Sequence, residues 1–193
     1  MSLTLYTNAQ SRGLIAQWML AEVNVPYEKV ELAYGAEMKS PAFLALNPMG
    51  KVPTLVHQGR VVTEAAAICM YLAEAFPEAD LAPTAEERAD YYRWIVFATA
   101  TLEQGLALRG LSISLDDRQK ATMGCGDVDQ AIKALADHLA QHSYVAGERF
   151  TAADVYVASQ LNFFVRMFKM VPTCAAFDGY LDRVTARPAC SMK

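Results

Sequence analysis

The first third of the chain alternates short apolar runs with polar and turn-forming residues. An alternating pattern predicts a strand over 3–6, and apolar residues at helical spacing predict a helix over 11–22. A second β-prone run follows at 28–32. This change from a period of two to a period of 3.6 and back predicts a sheet-forming domain with an intervening helix.

A hairpin and a helix complete this part of the pattern. Proline is tolerated at the start of a strand, so Pro53 can precede the β-prone residues that lead to the turn Gln58-Gly59. The segment 54–63 is therefore predicted to form a β-hairpin. Apolar residues at helical spacing predict a helix over 64–76. The predicted order is β-α-β-β-β-α.

Helical periodicity dominates the rest of the chain. A predicted helix over 85–105 has one apolar side that carries Tyr92, Ile95, Val96, Thr99 and Leu102. A predicted helix over 127–141 has an apolar side formed by Val128, Ile132, Leu135 and Leu139. We therefore predict an α/β domain at 1–77, a turn-rich linker at 78–84 and an all-helical domain at 85–193.

The segment from Phe150 to Val155 has the pattern of a helix capping box. The Thr151 side chain can cap the backbone N–H of Asp154, and the Asp154 side chain can reach back to Thr151. Phe150 and Val155 are placed to form the accompanying hydrophobic staple. We assign this motif a folding role and no chemistry.

Composition and charge exclude several classes of function. The 193 residues are 53% hydrophobic and carry a formal net charge of −4, which gives no electrostatic case for nucleic-acid binding. We expect neither a membrane span nor a signal peptide, because the chain has no long uncharged apolar stretch and no basic leader. The cysteines and histidines show no metal-ligand spacing, so we expect no bound metal. The cysteines also form no Cys-x-x-Cys pair, and we expect free thiols in a reducing, cytoplasmic location.

Glu64 is a candidate binding residue because a buried-looking acid stands where a helix begins. One interpretation is a carboxylate favoured by the helix dipole, which contributes a few tenths of a kcal/mol. The other is a carboxylate beside the anion-binding first turn of a helix, where it receives an ammonium group. A carboxylate and a helix N-terminus together would bind both charges of an α-amino acid head group. The residues alone leave both interpretations open.

Three motifs together resemble the soluble, cytosolic-type glutathione transferase family, in a bacterial-like form. They are the run from Asn47 to Val56, the acid Glu64 and the segment from Gly147 to Asp154. The resemblance implies a thioredoxin-like domain of β-α-β-α-β-β-α type, without a redox dithiol, followed by an all-helical domain. It also implies a cis bond before Pro53.

The resemblance implies contacts to two parts of glutathione. The backbone of Val52 would pair with the cysteinyl unit, and Glu64 would meet the γ-glutamyl end. Simple charge pairing would let Lys51 meet the glycine carboxylate, and its alternative role is a solvated lysine of the loop. Ala65 departs from the family, which usually has serine there, with a hydroxyl that bonds the γ-glutamyl carboxylate. A hydrogen bond to a charged group is worth roughly 1.5–3 kcal/mol, so we expect glutathione binding weakened by about one to two powers of ten.

Three side chains after the first strand are candidates to stabilise the glutathione thiolate. Ser11 stands at the spacing of serine-type transferases, Tyr6 stands near the position of the tyrosine-type enzymes, and Asn8 is a third donor. The alternative roles are a helix N-cap for Ser11 and strand-end packing for Tyr6. We favour Ser11. The absence of a cysteine in this turn argues against the cysteine-type branches of the family.

The resemblance implies a cytoplasmic homodimer that conjugates glutathione, as cosubstrate, to a small apolar electrophile, a reaction typical of detoxification. A glutathione-dependent isomerase or peroxidase would use the same site. A non-catalytic member that binds a protein partner or an apolar ligand is a third possibility, favoured by Ala65. The candidates for the electrophile wall are Tyr92, Trp94, Phe97, Arg109, Phe163, Phe164 and Met167.

Overall fold

A four-stranded mixed sheet forms the centre of the amino-terminal part of the molecule. The structure is a computed structural model and describes residues 2–190. The strands are β1 (Leu3–Thr7), β2 (Glu28–Glu31), β3 (Thr54–His57) and β4 (Arg60–Thr63). They lie in the order β2-β1-β3-β4, with β2 parallel to β1 and the other neighbours antiparallel.

The α-helices that accompany this sheet in the described residues are α1 (Gly13–Val23), α2 (Pro41–Leu46) and α3 (Ala65–Ala75). Helices α1 and α3 pack against each other, and the central strands contribute the fully buried side chains Leu5 and Leu55 to the core. The predicted hairpin over 54–63 is confirmed. Its turn residues Gln58 and Gly59 both have positive φ, of 51° and 78°, as a two-residue hairpin turn of this type requires.

The start of α1 differs from the prediction by two residues. The helix begins at Gly13 rather than at Ser11. The backbone N–H of Ser11 donates to the Asn8 carbonyl oxygen at 3.1 Å, which closes a turn before the helix begins.

Helix α2 was not predicted from the apolar pattern alone, because a helix this short has too few residues to show periodicity.

The other α-helices of the described residues follow the sheet domain along the chain. They are α4 (Arg88–Val96), α5 (Glu103–Gly110), α6 (Asp117–Thr122), α7 (Val128–Leu139), α8 (Ala152–Leu161) and α9 (Ala175–Thr185). Two π-helical segments, Phe97–Leu102 and Asn162–Met167, follow α4 and α8 directly. Every residue of α8 is buried, so this helix is the core of the helical part.

Contacts divide the chain into two units at Ala82 and Pro83. One unit runs through Ala82 and includes the segment from Pro188, and the other runs from Pro83 to Arg187. Within the described residues, no helix is long and apolar enough to cross a membrane. No group of three or more His, Cys, Asp or Glu residues is placed to hold a metal ion in that same part of the chain.

The buried side of the helix around residue 95 was predicted correctly only in part. Ile95 and Leu102 are buried, as expected, whereas Tyr92 and Val96 are 41% and 58% exposed. The buried side also includes residues that the pattern did not assign to it, Tyr91, Trp94 and Ala98. Each residue advances a helix by about 100°, so the adjacent Tyr91 and Tyr92 face different surroundings although both fit an apolar pattern.

The predicted capping box at the start of α8 is confirmed. The Asp154 carboxylate accepts hydrogen bonds from the backbone N–H and the hydroxyl of Thr151, at 2.9 and 3.1 Å. Asp154 is fully buried, and Phe150 and Val155 of the predicted staple are buried as well.

Candidate functional site

The register of the sheet brings the separate sequence motifs to one end of it. Tyr6 of β1 pairs with Thr54 of β3, and Thr54 pairs with Thr63 of β4. These three residues therefore form a row across the sheet in which neighbours are about 5 Å apart. The turn to Ser11 follows this row in β1, Pro53 precedes it in β3, and Glu64 follows it in β4. The loop after β2 leaves from the same end, since Thr7 pairs with Glu31.

Ser11 lies at the end of the turn that joins β1 to α1. Its side chain is half-buried, and its Oγ lies 2.8 Å from the Asn8 carbonyl oxygen, to which it donates. The same Oγ accepts a hydrogen bond from the backbone N–H of Gly13 at 2.9 Å. Two partners therefore hold the hydroxyl within the turn. Arg12, not Ser11, is the residue directly before the helix.

Tyr6 and Asn8 are held by other contacts. The Tyr6 ring is half-buried, with its centroid 5.6 Å from that of Phe43 in α2. The Asn8 amide donates to the Leu32 carbonyl oxygen at 2.8 Å and accepts from the Gln10 backbone N–H at 2.9 Å. The amide nitrogen of Asn8 thus joins the turn to the loop after β2, and its amide oxygen braces the turn itself.

The bond between Val52 and Pro53 is cis, as the resemblance implied. The loop that leads to it is organised by Asn47, which is only 4% exposed. The Asn47 amide nitrogen donates to the Lys51 carbonyl oxygen at 2.8 Å and to the Thr54 hydroxyl at 3.1 Å. Its amide oxygen accepts from the Met49 N–H at 3.0 Å. Sequence reasoning gave Asn47 no role, although its place before Pro48 in a turn was visible.

Two lysines lie near this loop and have different surroundings. Lys51, the predicted partner of a carboxylate, has an exposed side chain. The Lys39 ammonium donates to the Met49 carbonyl oxygen at 2.9 Å, so it fastens the loop after β2 to the loop before Pro53. Met38, next to Lys39, is buried. Both lysines are exposed, and they differ in that the Lys39 ammonium is bound to a carbonyl oxygen of the neighbouring loop.

Glu64 is exposed, and the expectation of a buried acid is wrong. It is the residue directly before α3, and its φ of 69° and ψ of 121° turn the chain sharply out of β4 into the helix. Its side chain makes no hydrogen bond to the helix end. A positive φ is rare for a residue with a side chain, and such conformations cluster at ligand sites.

Ala65 is the first residue of α3 and is 8% exposed. Its methyl group provides no hydrogen-bond donor, so only backbone N–H groups of the first turn are offered at this position. Cys69 lies one turn further and is fully buried. Burial raises the pKa of the Cys69 thiol, so this cysteine is not a nucleophile.

The proposed electrophile wall is only partly available in the helical unit. Trp94 and Phe164 are buried in its core, whereas Met167 is 57% exposed. Arg109 borders a cleft of about 250 Å³ and forms an ion pair with Asp129 at 2.6 Å. Helical spacing alone does not distinguish the buried candidates from the exposed ones, because both kinds recur at the same spacing.

Comparisons with known proteins agree with this architecture. Residues 1–74 match the family model described as glutathione S-transferase, N-terminal domain, and residues 100–191 match the one described as glutathione S-transferase, C-terminal domain. A glutathione S-transferase of Xanthomonas campestris is 30% identical over 189 residues, which cover 94% of this chain and 92% of that protein.

Solved structures give the same result. A theta class glutathione S-transferase from Xanthomonas axonopodis, with glutathione bound, is 28% identical, with a TM-score of 0.77 over 98% of this chain and 95% of that one. A glutathione transferase homologue from Sulfitobacter, with bound glutathione, is 26% identical, with a TM-score of 0.75 over 98% and 95%. The predicted fold class, a thioredoxin-like domain followed by a helical domain, is confirmed.

Proposed function

The chain belongs to the soluble glutathione transferase family, and we propose that it binds glutathione at the end of the sheet defined by Tyr6, Thr54 and Thr63. The reaction is transfer of the glutathione thiolate to a small apolar electrophile. The observation that carries the proposal is the sheet register, because it places the turn with Ser11, the cis-Pro53 loop and Glu64 at one end of three adjacent strands.

Glu64 and α3 are proposed to hold the γ-glutamyl end of glutathione. That group is an α-amino acid head with one positive and one negative charge. The exposed Glu64 carboxylate suits the ammonium group, and the N–H groups of the first turn of α3 suit the carboxylate. The lack of a hydroxyl at Ala65 leaves the backbone N–H groups and the helix dipole to bind that carboxylate.

Val52 and Lys51 are proposed to hold the rest of the tripeptide. Val52 is half-buried and directly precedes the cis bond, in a loop that the buried Asn47 side chain holds through hydrogen bonds. It is placed to pair with the cysteinyl unit as a strand would. The exposed Lys51 ammonium would pair with the glycine carboxylate, an interaction that salt will weaken.

Ser11 is proposed to stabilise the thiolate. A free thiol has a pKa near 8.5, so most of it is protonated at neutral pH. Lowering that pKa by about two units requires about 2.7 kcal/mol of stabilisation of the anion. A hydroxyl donor to a charged acceptor supplies roughly 1.5–3 kcal/mol. The Asn8 amide already donates to Leu32, and the half-buried Ser11 Oγ is held in the turn by Asn8 and Gly13, so we favour Ser11 and keep the Tyr6 hydroxyl as the alternative donor.

The chemical step forms one carbon–sulfur bond and breaks one bond of the acceptor, so two electron pairs move. The thiolate sulfur gives its electron pair to an electrophilic carbon of the acceptor. Either a leaving group departs as an anion or a double bond of the acceptor takes up the electrons and then a proton. No redox change or metal is needed.

We also propose a cytoplasmic homodimer, which light scattering after size-exclusion chromatography would disprove by showing a monomer at micromolar concentration.

Calorimetric titration of glutathione into the protein tests the proposal. We expect binding in the micromolar to low-millimolar range. A Glu64→Gln variant removes the carboxylate charge at nearly constant shape and is expected to bind at least tenfold more weakly, because a charged hydrogen bond is lost. Absence of binding at tens of millimolar would overturn the proposal and direct attention to other ligands.

A further inference from the structure

We propose that Gly13 is a positioning residue for the Ser11 hydroxyl. Its backbone N–H holds the Ser11 oxygen in place while the hydroxyl proton turns from the Asn8 carbonyl to the sulfur of glutathione. This inference rests on the proposed function of Ser11 and assigns a role to a residue that makes no contact through a side chain.

The hydrogen bonds of the turn show why this proton can move at small cost. The Ser11 Oγ donates to the Asn8 carbonyl oxygen at 2.8 Å, and that same oxygen also accepts the Ser11 backbone N–H at 3.1 Å. When the hydroxyl proton turns away, the carbonyl keeps its backbone partner. No buried acceptor is therefore left without a hydrogen bond.

The Ser11 oxygen also keeps a partner during this change. The Gly13 N–H donates to it at 2.9 Å, and it is independent of the hydroxyl proton. Rotation about the Cβ–Oγ bond moves the proton and leaves the oxygen where it is. The accepted hydrogen bond also polarises the hydroxyl and makes it a stronger donor, since chains of hydrogen bonds strengthen one another.

Space explains why glycine occupies this position. A Cβ atom on residue 13 would lie 2.0 Å from the Thr7 Oγ1, 3.1 Å from the Thr7 Cβ and 2.9 Å from the Ser11 Oγ. Thr7 is 1% exposed and its Oγ1 accepts a hydrogen bond from the Gln17 amide at 3.2 Å, so it has little room to withdraw. Any side chain would therefore push the helix start away from β1 and displace the N–H from Ser11.

Two variants of Gly13 test the proposal. Gly13→Ala adds the Cβ, and replacement of Gly13 by glycolic acid removes the N–H without adding an atom. With either change we expect the thiol pKa of bound glutathione to rise by about one unit, and kcat at neutral pH to fall by about tenfold. We expect a smaller change in KM for glutathione. The glycolic acid variant, called the ester variant below because an ester bond replaces the amide, tests the proposal even if the alanine variant does not fold.

A control variant and a second genetic background distinguish a positioning role of Gly13 from a general loss of structure. Gly179→Ala, in α9, adds a Cβ with no atom within 4 Å and should leave the thiol pKa unchanged. In a Ser11→Ala background, Gly13→Ala should cause no further rise in the thiol pKa, because the group it positions is gone. A further rise of equal size in that background would overturn the proposal.

Failure of this inference differs from failure of the proposed function. If the wild-type protein does not bind glutathione, the function is wrong. If it binds and Ser11→Ala raises the thiol pKa while the ester variant does not, Ser11 acts without Gly13 and only the positioning role is wrong.

Discussion

The Tyr180 hydroxyl donates a hydrogen bond to the Asp154 carboxylate at 2.9 Å in the interior of the helical unit. The Val145 N–H donates to the same oxygen at 2.9 Å, and Thr151 donates to the other. Every partner of this carboxylate is a donor. Burial nevertheless dominates, and it raises the pKa of Asp154 to about 6. Burial also raises the pKa of the Tyr180 hydroxyl, so the tyrosine stays neutral.

The first prediction concerns the pH dependence of stability. The folded pKa of Asp154 lies above its ordinary value of 3.8, so the folded state binds this proton more tightly than the unfolded state. The resulting stabilisation is complete below about pH 4 and is lost as the pH rises through 6, a change of about 3 kcal/mol. Urea unfolding at several pH values between 4 and 7 measures it against Asp154→Asn.

The asparagine variant isolates this group from the other carboxylates of the chain. The difference in free energy of unfolding between wild type and Asp154→Asn should shrink as the pH rises from 4 to 6. The variant should also be less stable at pH 4, because its NH₂ group brings two N–H donors to a site of donors where the protonated carboxyl brings one O–H, at a cost of about 1–3 kcal/mol. A difference that is constant across this pH range would contradict the assignment.

The second prediction concerns Asn47, the internal support of the loop before Pro53. Asn47→Ala removes the bonds to the Lys51 carbonyl and the Thr54 hydroxyl and should cost about 1–3 kcal/mol in the free energy of unfolding. Asn47→Asp keeps an acceptor for Met49 but loses the donor, so it should cost at least as much. Both should weaken glutathione binding, measured by calorimetry, since Val52 stands on this loop. Unchanged affinity would mean that the loop is held without Asn47.

The third prediction concerns the position where the chain departs from its family. Ala65→Ser restores a hydroxyl at the first residue of α3 and should tighten glutathione binding by about one to two powers of ten. Ala67→Ser adds the same hydroxyl to the same helical turn at an exposed position, and should leave the affinity unchanged. Equal affinities for both variants and wild type would show that the γ-glutamyl carboxylate is bound elsewhere.

The sheet and its hairpin could be predicted from the sequence because their alternation and turn residues are local signals. The conformation of Glu64 could not, since a positive φ depends on the angle between β4 and α3. In the helix around Ile95, the pattern chose Tyr92 where Tyr91 is the buried residue, because two adjacent tyrosines are equally apolar in a sequence. The role of Asn47 depends on three hydrogen bonds that exist only after the loop has folded.

The last prediction distinguishes the candidate thiolate donors. Ser11→Ala removes the half-buried hydroxyl between Asn8 and Gly13 and should raise the thiol pKa of bound glutathione by about one to two units, at nearly unchanged glutathione affinity. The loss is measured as the pH dependence of thiolate absorbance, and kcat/KM at neutral pH should fall roughly 10- to 100-fold. Tyr6→Phe removes the other hydroxyl and keeps the ring against Phe43, so the thiol pKa should stay as in wild type. If the effects of the two variants were reversed, the site would be of the tyrosine type. If neither variant moved the thiol pKa, Asn8 would be the remaining donor in this turn.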